Sequence, residues 1–246
     1  MPMLWFLQPG VTLETVFMRV LSVLVIILLV LPLHECAHAW VAYRMGDSTA
    51  KNRGRLTLNP LPSIDPIGAL CILLFGFGWA KPVPVDSRYF TKNAKAKMAL
   101  TALAGPVSNL LAAFVGALIF YLIAFLTGYS TSVIMSYVAT FFLYYITINI
   151  NLAVFNLIPL PPLDGSRILA AFLPDRMVYQ YYRYQNIIML AVFVLLFTGV
   201  LSRPLGWLTT QVYNGIMNLA ALPFSLWKSY PISFRCSKAL WIFFCT

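Results

Sequence analysis

The chain has 246 residues, 61% of them hydrophobic and only 10% charged, with a mean hydropathy of +0.82, which excludes an ordinary soluble domain and indicates a polytopic membrane protein. Its net charge of +10 comes from lysines and arginines scattered between apolar runs, not from one basic face, so it reports membrane topology and excludes nucleic acid as a partner. The four cysteines, Cys36, Cys71, Cys236 and Cys245, form no CxxC pair and no regular spacing, which argues against a disulfide scaffold or a cysteine-type zinc site and leaves them as free thiols.

Residues 1–16 lack the positively charged start of a signal peptide, and the first apolar run contains His34 and Glu35, so that run is expected to stay in the mature chain. Crossing a core of about 30 Å takes about 20 residues. Segments 17–43, 98–126 and 133–158 meet that length. Two weaker runs follow at 187–202 and 204–227, and the second carries Thr209, Gln211, Asn214 and Asn218, so it either spans or lies along the interface. The run PIGALCILLFGFGW (66–79) is too short to cross comfortably.

The flanking loops set the orientation. Loop 44–65 carries Arg44, Lys51, Arg53 and Arg55, and loop 80–97 carries Lys81, Arg88, Lys92, Lys95 and Lys97. If 66–79 crossed, these two basic loops would face opposite sides, against the positive-inside bias, so a re-entrant loop from the cytosol is expected. The stretch TGYSTS (127–132) has no basic residue and faces out, while 159–186, with Arg167, Arg176 and Arg183, faces in. The fold class expected is all-α: an outside N-terminus, about five transmembrane helices plus the re-entrant loop, and an inside C-terminus. The aromatic cluster YQYYRYQ (179–185) suits the headgroup level.

Inside the first apolar run stands HECAH, residues 34–38. On a helix, residues four apart share a face, so His34 and His38 can present imidazole nitrogens to one ion at about 2.0–2.1 Å. Glu35 points aside, close to the ion but off it, where a general base for water belongs. A chance polar cluster, or histidines satisfied by hydrogen bonds, is the alternative. Against it, these are the only two histidines in the chain, and Glu35 is one of two glutamates. Intramembrane ionisable groups also cost about 2.5–3.5 kcal/mol each on insertion scales, so three in one turn require a compensating role.

A catalytic zinc takes three protein ligands and keeps one position open. With no third histidine, the candidate is a carboxylate from Glu14, Asp47, Asp65, Asp86, Asp164 and Asp175. Asp164 stands out because it follows NLIPLPPLDG (156–165), where Pro159, Pro161 and Pro162 break a helix at membrane depth. It can equally be a turn or N-cap residue that starts a helix at SRILAAF. Electrostatics tilts the balance towards a ligand, since one carboxylate lowers the charge of a buried zinc between two neutral imidazoles to +1.

HECAH in a membrane helix, AGPVSN (104–109) in the next span and NLIPLPPLDG after the third resemble the site-2 protease family of intramembrane zinc metalloproteases, peptidase family M50. GRLTLNPLPSIDPIG (54–68) and GWAKPVP (78–84) resemble its compact bacterial branch, and the likeness covers roughly residues 20–190. The resemblance implies one Zn²⁺ held by His34, His38 and Asp164, Glu35 as catalytic base, and Asn156 and Asn109 as polar support. It implies a single integral-membrane metalloprotease domain over 1–246: a three-helix catalytic core at about 17–170, C-terminal helices at about 187–227 and a tail at 228–246. It departs from the family at Ser63, where similar sequences often have a histidine, and the tail PISFRCSKALWIFFCT matches no pattern.

The implied activity is hydrolysis of peptide bonds within or near transmembrane segments of other membrane proteins, as in regulated intramembrane proteolysis, at a bacterial inner membrane. If the first span ends near Tyr43, His34 lies about 13 Å from the cytosolic edge at about 1.5 Å per residue, so water must enter from the cytosolic side. The RLTL run (55–58) alternates polar and apolar residues, a pattern that fits a strand pairing with an unwound substrate or an ordinary loop. The glycine and proline of GPVSN are read as helix packing, Gly105 for close approach and Pro106 for a kink. The rival functions are a metal-ion transporter, which needs several such sites along a path, a catalytically inactive scaffold, and a prenyl-protein protease that differs only in substrate.

Overall fold

The computed structural model describes residues 17, 20, 21, 24–75, 80–128 and 132–225. Among them the regular elements are all helical, as the composition implies for a chain that must satisfy its own backbone in lipid. Residues 1–16, the end of the 66–79 run and the tail expected at 228–246 lie outside the described residues.

The first helix, α1, passes from a wide turn at Ile26–Val30 into a regular helix at Leu31–Arg44. The wide turn has a sequence cause. Pro32 has no N–H for the carbonyl four residues back, and the Leu31 N–H bonds Ile26 O, five residues back, instead. A short helix α2 (Thr49–Asn52) and α3 (Pro66–Phe75) follow. The 55–58 run between them is bends, not strand. The long helix α4 (Ala94–Leu126) is followed by α5 (Val133–Asn156), which the Ser132 hydroxyl caps by accepting from the Met135 N–H. Pro159, Pro161 and Pro162 then stop α5, and the chain restarts as α6 (Asp164–Phe172), α7 (Asp175–Arg183), α8 (Gln185–Phe197) and α9 (Ser202–Ser225).

Three of the five expected spans, α1, α4 and α5, are helices long and apolar enough to cross a membrane. The other two differ in kind. The 13 residues of α8 rise about 20 Å, less than the about 30 Å of a bilayer core, because Gly199 takes a positive φ of 74° just beyond the helix end. Helix α9 packs along α4 and α5, burying Leu205, Tyr213, Met217 and Ala220 and leaving Gln211, Asn214 and Asn218 on its outer face. The ten residues of α3 rise about 15 Å, half of a bilayer core.

Helix α4 is the hub. Its 33 residues span about 50 Å, more than a bilayer core needs. One face carries Ala102, Gly105, Asn109, Ala112, Ala113, Gly116 and Ala117, all buried, and such small residues let helix backbones approach closely. The core lies where Ala113, Ala117, Phe120 and Tyr121 of α4 meet Ile146, Ile150 and Val154 of α5 and the buried residues of α9. At the other end of α4, Lys97 Nζ donates to Met45 O (3.2 Å) and Lys95 Nζ to Leu173 O (2.8 Å), with an ion pair to Asp175 at 2.6 Å. Three loops that the charge pattern puts on one side therefore meet at one end of the bundle.

Two glycines mark the tightest packing. A Cβ on Gly116 would lie 2.8 Å from the Tyr145 ring, whereas one on Gly165 would lie 2.6 Å from the Ile158 carbonyl carbon and closer still to the Leu157 and Ile158 oxygens. A ring can rotate away and a backbone cannot, so Gly165→Ala should destabilise more than Gly116→Ala, for which overpacking costs about 1–3 kcal/mol. Thermal unfolding in detergent checks the order, with Gly165→Ala giving the larger fall in Tm.

Candidate metal centre

The 3.6-residue period of α1 stacks His34 and His38 on the face turned towards α4, where they are 5% and 6% exposed, while Trp40 and Tyr43 face outwards. The proline break after α5 brings Asp164, in the first turn of α6, to the same place. His34 Nε2 and His38 Nε2 are 3.0 Å apart, and Asp164 Oδ2 is 3.2 Å from each. Ligands at about 2.0–2.1 Å on a tetrahedral ion are about 3.3 Å from one another, so this triangle has the size of three corners of such a site. Asp164 is the first residue of α6 but not its N-cap, which is Leu163 and makes no side-chain cap bond, and its carboxylate converges on the histidines.

The remaining contacts separate a metal cradle from a hydrogen-bonded cluster. His38 Nδ1 lies 2.7 Å from Thr101 O, which can only accept, so Nδ1 carries the proton and Nε2 presents a lone pair in the neutral ring. Asp164 Oδ2 is buried with no hydrogen-bond partner. Asn109, fully buried, holds its amide nitrogen 3.1 Å from His34 Nδ1, and its Oδ1 has no partner. Turning that amide over lets Oδ1 accept from His34 Nδ1–H, which frees the His34 Nε2 lone pair for an ion as well. Three donor atoms with no proton between them fit a divalent cation.

Helix α4 closes the cradle with a bare backbone. A Cβ on Gly105 would lie 2.6 Å from His34 Nε2 and closer still to His38 Nε2 and His34 Cε1, so only glycine leaves this space free. Glu35, next to His34 in sequence, is not part of the cluster able to hold a metal, which is His34, His38 and Asp164. Its Oε2 accepts from the Val83 N–H at 3.0 Å. Asn156 is turned to its own helix, donating to Leu152 O at 3.0 Å.

Thr101 and Val83 carry no side-chain signal for these roles, since they act through a carbonyl and an N–H, whereas Gly105, expected to allow close helix approach, also leaves room for the two imidazoles. The segment after Val83 is pinned by Asp47, fully buried, whose Oδ2 accepts from the Asp86 N–H at 2.7 Å. The exposed Arg88 guanidinium forks onto Asp86 and holds that carboxyl below the usual carboxylate range.

Two substitutions beside the histidines test the cradle. Gly105→Ala should abolish zinc binding with helical circular dichroism unchanged, because the added methyl collides with both imidazoles at their Nε2 atoms and must push them apart. Asn109→Ala should weaken zinc affinity by about 10–100-fold through loss of the partner that orients His34. Competition with a chromophoric chelator measures both.

The profile of peptidase family M50 matches residues 126–199, which include Asp164 but not HECAH. The chain is 48% identical over 145 residues to the Bacillus subtilis protein named "Putative zinc metalloprotease YwhC", covering 58% of this chain and 64% of that one. It is 33% identical over 192 residues to the Mycolicibacterium smegmatis protein named "Putative zinc metalloprotease Rip2", covering 76% of this chain and 69% of that one. The chain thus spans a little under two thirds of the first relative's length. No solved structure gives a significant match. With a relative of this identity matched over more than two thirds of its length, the chain belongs to peptidase family M50, the site-2 protease family.

Proposed function

We propose that the chain is an intramembrane zinc endopeptidase that cuts within or near the transmembrane helices of other membrane proteins, in regulated proteolysis at the cell membrane. The observation that carries this reading is the triangle of His34, His38 and Asp164, with Glu35 next to His34 in sequence and outside the cluster. The names of both relatives as zinc metalloproteases support zinc as the ion. One ion is the number that a single triangle accepts.

Zinc bound there supplies Lewis-acid polarisation of a carbonyl and acidification of water. The chain's residues do the rest. His38, held by Thr101 O, and His34, held by Asn109, keep their Nε2 lone pairs aimed at one point. Glu35 takes the proton of the attacking water and returns it to the departing amine nitrogen. The buried position excludes bulk water and favours a substrate that arrives through lipid. The 15 Å rise of α3, about half of a bilayer core, supports the re-entrant reading of 66–79, with the site opening on the side of the basic loops.

Metal analysis by mass spectrometry on detergent-purified protein, with turnover of a transmembrane peptide, tests this. Wild type should hold about one zinc and Asp164→Ala far less, while Glu35→Gln should keep its zinc and lose turnover by about 10²–10⁴-fold. Equal zinc in Asp164→Ala would remove that residue from the ligand set. Undiminished turnover in Glu35→Gln would remove the base, and a wild type without zinc under non-chelating conditions would favour the inactive scaffold.

A further inference from the structure

Arg55 reads in the sequence as one more positive charge on a basic loop, yet it is only 7% exposed, whereas Lys51 and Arg53 beside it are exposed. Its Nε is buried without a hydrogen-bond partner, and among the described residues no carboxylate pairs with it. A buried, uncompensated guanidinium is costly unless something depends on it. Its Nη2 donates to Lys81 O.

Lys81 opens a segment, KPVPVD (81–86), that lies against α1. Four hydrogen bonds tie the segment down. Besides the Arg55 contact, the Lys81 N–H donates to Ser63 O (2.9 Å), the Val83 N–H to Glu35 Oε2 (3.0 Å) and the Asp86 N–H to Asp47 Oδ2 (2.7 Å). Pro82 and Pro84 have no N–H and fix their own φ, so between them Val83 offers the one main-chain donor, on a stiff backbone. Val83 is 6% exposed and packs with Ala39 of α1 and Ala50 of α2. The segment is therefore a strap across the HECAH helix, clamped by Arg55 at one end and Asp47 at the other, with its central N–H on the carboxylate of Glu35.

We propose that Arg55 is a positioning residue for Glu35, and that Asp47 acts with it: together they hold the strap so that Val83 N–H fixes one carboxylate oxygen and leaves the other for proton transfer. This rests on the peptidase reading of the site. A carboxylate held by one oxygen is aimed before the water arrives, and misplacement of a reacting group by about 1 Å can cost on the order of 10²-fold in rate.

The test is hydrogen–deuterium exchange over residues 81–86 of the full chain in detergent, alongside kcat, KM and zinc content. Arg55→Met, which keeps the apolar stem and removes the donors, should speed exchange in the strap and lower kcat by on the order of 10- to 100-fold, with KM and zinc unchanged. Arg55→Lys, which restores one donor to Lys81 O, should recover part of both, and Arg53→Ala should change neither. If Arg55→Met does not fold, Asp47→Asn reads the same two quantities from the other end and should move both the same way. Wild-type exchange in the strap, or a loosened strap with wild-type kcat, would overturn the proposal. A wild-type chain with neither zinc nor turnover would instead sink the peptidase reading itself, whereas normal wild-type turnover with unchanged kcat in Arg55→Met sinks the positioning role alone.

Discussion

Everything at the centre of this molecule depends on how closely helix α4 approaches the HECAH helix. Gly105 presents bare backbone to two imidazoles, and one methyl group there would collide with the Nε2 atoms of both rings. The same helix supplies Thr101 O to His38 and Asn109 to His34, so one rigid element both makes room for an ion and aims the two rings. Asp164 reaches the triangle because Gly165, next in sequence, lets the start of α6 press against the Leu157 and Ile158 carbonyls at the end of α5. Two glycines, one from each side, set the dimensions of the site.

A membrane setting makes this arrangement demanding. Polar groups at depth must find partners within the protein. Several do so locally: Asn149 and Asn156 return their amide N–H groups to carbonyls one turn back, at Tyr145 and Leu152. The histidines cannot, because their Nε2 atoms face each other and a carboxylate. That crowding of acceptors is hard to hold together without a cation, and it is the physical reason to read the cluster as a metal cradle and not as a satisfied polar core.

Much of this was legible in the sequence, for reasons that are themselves physical. A spacing of four puts two histidines on one helix face, and prolines must end a helix, so His34, His38 and Asp164 carry their geometry in their positions. Hydrophobic length located α1, α4 and α5 because a bilayer fixes how long a span must be. The C-terminal helices were less legible: α8 is cut short at Gly199, and the apolar face of α9 is diluted by exposed amides. Roles played by main-chain atoms left no trace, as with Thr101 O and Val83 N–H. Arg55 misled by composition, since a basic loop residue counts towards topology whether it is exposed or buried, and only packing separates the two.

Two imidazoles and one carboxylate, drawn from segments more than a hundred residues apart, are read here as ligands of one ion. X-ray absorption spectroscopy at the zinc edge on purified protein tests it most directly. A shared ion gives a shell of nitrogen and oxygen scatterers at about 2.0–2.1 Å, with the outer-shell pattern of two imidazoles and no sulfur. A sulfur scatterer at about 2.3 Å would contradict it, because it would bring a cysteine, such as Cys36 within HECAH, into the shell assigned here to Asp164.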